Sequence, residues 1–172
     1  MDILLNSIQD IYRDVFGVSA KALKAWAGAA EGTIVQCPLT LSYDGDEYYN
    51  PDSYTLPFEP LITVDLNNVV IRNPILMNRQ NGTVKEMWSA SDYDIEIKGI
   101  VSVADRLKLP EAEINRIRWF GEVRRAIEVK SPYLALFGIQ YMAIEHISFP
   151  PTVGYNYQAY VIKGYSDKLF DL

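Results

Sequence analysis

Residues 88–100 read WSASDYDIEIKGI, and from Tyr93 onward apolar and charged residues alternate. Side chains along an extended chain point alternately to opposite faces. Asp92, Asp94, Glu96 and Lys98 therefore share one face, and Tyr93, Ile95, Ile97 and Gly99 the other. This is the pattern of a strand with one wet and one buried side. A chain that carries it needs a sheet with a core against one face.

The neighbouring sequence extends that sheet. LITVDLNNVVIR is rich in β-branched residues, and ILMNRQNGTVKEM sets Asn81-Gly82 between strand-like flanks. Asn-Gly supplies the positive φ angles of a tight hairpin turn. The spacing predicts a strand ending near Arg79, a turn, and one long strand from Thr83 to Val103. TIVQCPLTLSY reads as an earlier strand; IQYMAIEHISF and NYQAYVIKGYSD read as two later ones around the Pro150-Pro151 corner.

One main helix interrupts the strands, in RLKLPEAEINRIRWFGEVRRAIEV. Pro110 suits the first helical turn, and Glu111 and Glu113 sit where the helix dipole favours acids. Ile114, Ile117, Phe120, Val123 and Ile127 make one apolar stripe, with Arg116, Arg118, Arg124 and Arg125 outside it. Ser131-Pro132 ends the helix, and PYLALFG forms a short second turn closed by Gly138.

Two further regions lie ahead of this core. Residues 1–31 read as an N-terminal helical arm: Ile3, Leu4, Ile8, Ile11, Val15 and Phe16 recur at helical spacing up to Gly17, and Ser19 caps an Ala-rich second segment. That stripe suits packing on its own domain or docking on a neighbouring subunit. Residues 44–60, DGDEYYNPDSYTLPFEP, read as an extended Pro- and Tyr-rich surface loop. The expected fold is α+β: a mainly antiparallel sheet or partial barrel over residues 32–172, one main helix packed on it, and the arm.

At 172 residues the chain suits a single domain with a modest core. A net charge of −6 argues against a nucleic-acid partner, which calls for a basic surface. Cys37 is the single cysteine, so no internal disulfide forms, and folding in a reducing compartment is expected. The N-terminus has neither the basic region nor the long apolar stretch of a signal peptide. No apolar run approaches the roughly 20 residues that span a bilayer.

The candidate chemistry is thin. Asp94 and Glu96 stand about 7 Å apart along one strand face, within the range of a glycosidase pair. Hydrolytic carboxylates come from elements flanking a cleft, however, and one needs a raised pKa. A wet or subunit-facing strand is the better reading. Asp44, Asp46 and Glu47 offer only fragments of a calcium loop. His146 and Cys37 supply one each of the ligand types of which zinc needs about four, so His146 reads as a partly buried structural residue. No phosphate loop, GxSxG elbow or HExxH occurs. No enzyme activity, cofactor or metal is expected.

The run WSASDYDIEIKGIV, then PEAEINRIRWFGEVRRAIEVKSPYLALFGI, then YMAIEHISFPPTVGYNYQAYVIKGYSD, resembles uncharacterised domains from tail-gene clusters of phages and prophages of Bacteroidetes. The order of strand, helix and closing hairpin is also loosely similar to tail-terminator and baseplate adaptor proteins of long-tailed phages. The resemblance covers about the C-terminal half. It implies a structural tail or baseplate component, assembled in the bacterial cytoplasm into a virion tail or contractile injection particle. It would form a ring with copies of itself against tail tube, hub or baseplate proteins. Contacts would then fall on Ile3, Leu4, Ile8 and Ile11 of the arm and on Tyr48, Tyr49 and Tyr54 of the loop. Asp94 and Glu96 of the strand and Arg116, Arg118, Arg124 and Arg125 of the helix complete the candidate surface. The alternatives are a monomeric protein-binding or assembly-chaperone module, and a hydrolase using Asp94, Glu96 or Asp46.

Overall fold

The computed structural model describes residues 13, 15–17, 37–45, 50–58, 60–66, 68–74, 83–89, 91–103, 105, 107–152 and 156–167. Among the described residues from Thr40 onward, nine strands and two helices follow in order: β1 (Thr40–Tyr43), β2 (Asp52–Thr55), β3 (Leu61–Leu66), β4 (Val69–Pro74), β5 (Thr83–Ser89), β6 (Tyr93–Ser102), α1 (Glu111–Glu122), β7 (Ile127–Lys130), α2 (Pro132–Ala135), β8 (Tyr141–Ser148) and β9 (Tyr157–Asp167).

Seven strands form one antiparallel sheet in the order β2-β1-β7-β8-β9-β6-β3. It is open, with β2 and β3 at its edges, and not the partial barrel that the strand count allowed. The alternation in β6 does what the sequence predicts. Ile95 and Ile97 are buried, whereas Asp94, Glu96 and Lys98 are only half-buried. Opposite them in register lie Gly164 and Ile162 of β9, and Val64 and Ile62 of β3. Residues directly opposite share a face, so one side of the sheet is apolar across these strands.

Helix α1 packs on that side through Ile117 and Phe120, which join Leu39, Leu41, Ile127, Val129, Met142 and Tyr160 in the main core. Burying each such side chain contributes roughly 1.5–3 kcal/mol. A bulge between Ile144 and His146 shifts β8 against β9. There the backbone closes on Gly164, where an added Cβ would stand 2.2 Å from the Ala143 carbonyl oxygen, leaving room only for glycine.

The structure departs from the sequence reading in several places. The helix stops at Glu122; Val123 is already extended, and Ile127–Lys130 is a strand inserted between β1 and β8. Ile127 continues the helical stripe in sequence, but the open place in the sheet decides its conformation. Part of the expected 44–60 loop is strand β2, with Tyr54 and Leu56 buried. The long strand from Thr83 to Val103 divides into β5 and β6. β5 pairs with β4 in a separate two-stranded ribbon, but in another register than the expected one: a two-residue Asn81-Gly82 turn would set Gln80 opposite Thr83, whereas Pro74 stands there, and residues 75–82 lie outside the described residues. His146 is exposed on β8, not partly buried.

The second turn matches expectation: Ser131 caps α2 and Gly138 follows it at φ 71°. Most of the expected arm over 1–31 lies outside the described residues. Within it, Arg13, Val15 and Phe16 are helical, and the Gly17 N–H donates to the Arg13 carbonyl at 2.9 Å. Val15 and Phe16 pack with Ile100, Tyr157, Ala159 and Leu61, a small second cluster on the face opposite α1.

Candidate functional site: two edges and a charged sheet face

The two sheet edges are built differently. At β2, Asp52 takes two hydrogen bonds from Arg116 of α1, from Nε at 2.9 Å and from a terminal nitrogen at 2.5 Å. The same guanidinium donates to the Ser53 carbonyl at 3.0 Å and lies 4.7 Å over the Tyr54 ring. The buried Tyr54 donates its hydroxyl to Glu113. Arg116 therefore occupies a backbone acceptor of the edge strand and ties that strand to the helix. Its hydrogen bonds hold the Asp52 carboxyl below its ordinary pKa, and Asp52 in turn raises that of Arg116. Burial, then the bond to Glu113, pushes the Tyr54 hydroxyl well above the usual phenol range.

At the opposite edge, among the described residues, β3 pairs only with β6. The chain runs on from β3 into β4 and returns through β5 to β6, so the β4–β5 ribbon extends the β3–β6 hairpin beyond the main sheet. Leu66, Val70 and Ile71 are exposed apolar residues along this junction.

The face opposite α1 carries the charged row. Asp65 stands opposite Asp94, and Thr63 opposite Glu96, which itself faces Lys163. Glu96 accepts from Lys98 at 2.6 Å and from Lys163 at 3.2 Å. Burial raises its pKa, but the two lysines outweigh this and hold the group below its ordinary value. A carboxylate so held suits an ion pair rather than proton donation. Tyr165 donates to Glu145 at 3.1 Å, and a shallow cavity of about 270 Å³ runs between these side chains. Among the described residues no cluster of three His, Cys, Asp or Glu is placed to hold a metal.

The other sequence candidates are dispersed. Arg118 pairs with Glu122 one helical turn away at 3.3 Å, on the solvent side. Arg124 and Arg125 follow the helix and do not belong to its face; they line a concavity of about 610 Å³ with Asp44, Glu128 and Asp167. Tyr54 is interior to the chain. Ile3, Leu4, Ile8, Ile11, Tyr48 and Tyr49 lie outside the described residues. The Asp52–Arg116 pair, 64 positions apart in sequence, is the feature that sequence reasoning missed.

Residues 55–172 match a family described as a domain of unknown function, DUF6046, and the chain belongs to that family. No curated protein matches the sequence. Among solved structures the chain is similar to the Dit protein of phage SPP1, described as a paradigm of the hub of the adsorption apparatus in phages infecting Gram-positive bacteria. That likeness has a TM-score of 0.46 at 14% identity, over 74% of this chain and 49% of the Dit chain. The chain thus spans about half the length of that protein.

Proposed function

We propose that the chain is a structural component of a phage tail or related contractile injection particle, a ring-forming baseplate or tail adaptor protein. Its partners are copies of itself and neighbouring tube, hub or baseplate proteins, and its work is geometric rather than catalytic. The observation that carries the reading is the asymmetry of the sheet: one edge is occupied by Arg116, while the other runs into a ribbon outside the main sheet that exposes Val70 and Ile71. Natural sheets blunt edges that must not pair, and an edge strand that continues into a ribbon with exposed apolar residues suits pairing or docking in an assembly. The resemblance of residues 88–166 to Bacteroidetes tail-cluster domains supplies the kind of assembly. The charged face adds support, because its Glu96 carboxylate is engaged with Lys98 and Lys163 instead of standing alone in a cleft.

Immunogold electron microscopy with an antibody to this chain tests the proposal on particles purified from the source. Gold clustered at one end of the tail is expected. Unlabelled particles from a lysate that contains the antigen would contradict it, and would favour an assembly chaperone.

A further inference from the structure

Two apolar features stand in solvent, one beyond each end of β6. The first is a turn. After Ser102, the Val103 N–H donates to the Asn156 carbonyl at 3.1 Å, and the chain then turns on Asp105. The Asp105 carboxylate accepts from the Leu107 N–H at 3.1 Å, and its carbonyl accepts from the Lys108 N–H at 3.2 Å. These bonds hold Leu107 out in water, 88% exposed, with Lys108 and Leu109 exposed beside it. A side chain on a turn already fixed loses little freedom on docking.

The second is a patch at the start of the strand. Tyr93 stands opposite Leu66, so the two share a face. Phe137 packs edge-on against Tyr93, with ring centroids 5.9 Å apart, and against Tyr133 at 5.2 Å. Leu66, Leu136 and Phe137 remain exposed. Apolar side chains grouped in this way, where β3 passes into the ribbon, mark a contact surface. The ten residues of β6 separate patch from turn, roughly 30 Å along an extended strand. The exposure of Leu107 shows that the turn does not rest on its own chain's patch.

Charge indicates what covers the patch. Asp65 and Asp92, next in sequence to Leu66 and Tyr93, are exposed, and neither carboxylate engages another side chain among the described residues. The turn carries the opposite sign. Lys108 meets Asp105 at 3.5 Å with its side chain 75% exposed, a pairing that holds the ammonium only weakly. A basic residue thus flanks the protruding leucine, and acids flank the patch.

We infer that the Leu107 turn of one copy docks on the Leu66–Tyr93–Phe137 patch of a second copy, with Lys108 against Asp92. This rests on the self-assembling reading above and gives it a contact. Each copy carries both halves on different surfaces, so the contact is head-to-tail and closes into a ring when the rotation allows.

Sedimentation velocity on the full purified chain tests this, with Leu107→Ser, Leu66→Ser and a mixture of the two beside wild type. Both positions are exposed, so both variants should melt as wild type does. Each alone should self-associate about tenfold or more weakly, the scale of one leucine no longer buried. The mixture discriminates, because the Leu66→Ser chain keeps its turn and the Leu107→Ser chain keeps its patch. Together they should form one-to-one dimers and nothing longer. Lys108→Glu and Asp92→Lys should each weaken association, and the double variant should recover it. A mixture that gains nothing over either variant alone, or wild-type oligomers indifferent to Leu107→Ser, would overturn this contact while leaving a ring through other surfaces in place. A wild-type chain that stays monomeric, yet is found on tail particles, would overturn self-docking and assign the patch to a different tail protein. The expected dimers together with unlabelled particles would support the contact and count against the tail reading alone.

Discussion

The two edge strands of the main sheet face the same hazard and meet it in opposite ways. β2 is four residues long, and Arg116 reaches over it to Asp52, the Ser53 carbonyl and the Tyr54 ring. β3 is six residues long and leads directly into a ribbon with exposed Val70 and Ile71. A charged side chain on an edge prevents intermolecular pairing. Its presence at β2 argues that unwanted pairing matters for this protein. β3 carries a charge of its own, the exposed Asp65, and differs from β2 in leading directly into the ribbon, which is where the proposal places contact. The openness concerns the edge and not the interior, because the strand beside β3 is as firmly buried as any.

That last statement gives the largest expected effect. Ile97 of β6 is 0% exposed, and Ile97→Asp buries a charge with no partner, which should cost more than about 4 kcal/mol and leave no cooperative thermal transition. A normal melt would show that the β3 side lacks a core. At the other edge, Tyr54→Ala removes a buried ring and should cost about 3 kcal/mol by chemical denaturation.

Arg116→Ala should cost less, about 1–2 kcal/mol, because Asp52 and Arg116 are partly solvated. It should also change the pH dependence. The folded pKa of Asp52 is depressed, so its contribution is complete above the unfolded value of about 3.9 and is lost as pH falls through the lower folded value. Wild type should therefore lose stability on acidification below about pH 4, more steeply than Arg116→Ala. Parallel acid limbs would mean that Arg116 does not hold Asp52 in solution. The smallest effect belongs to β3: Leu66→Ser, at a side chain 48% exposed, should stay within about 0.5 kcal/mol for the monomer.

How much of this was legible beforehand depends on the range of the forces involved. The faces of β6 followed from alternation alone, and α2 from a Ser-Pro start and a glycine stop. The end of α1 did not, because Val123 and Ile127 continue a helical spacing until a vacancy between β1 and β8 takes Ile127–Lys130 as a strand. The division of the long strand at residues 90–92 was equally hidden. Its alternation carries no record of which partner each half will find. The clamp on β2 was least visible: Arg116 is one of several arginines, and its partner lies in a segment whose composition suggests a loop. Long-range side-chain pairs of this kind leave no local pattern.

Amide hydrogen exchange on the full chain, measured at low and high protein concentration, addresses the central claim most directly. The account predicts that protection over Leu61–Leu66, Val69–Pro74 and Thr83–Ser89 rises with concentration, while Asp52–Thr55 exchanges at the same rate throughout. Protection of β3 and the ribbon that is independent of concentration, or a rise confined to β2, would contradict it.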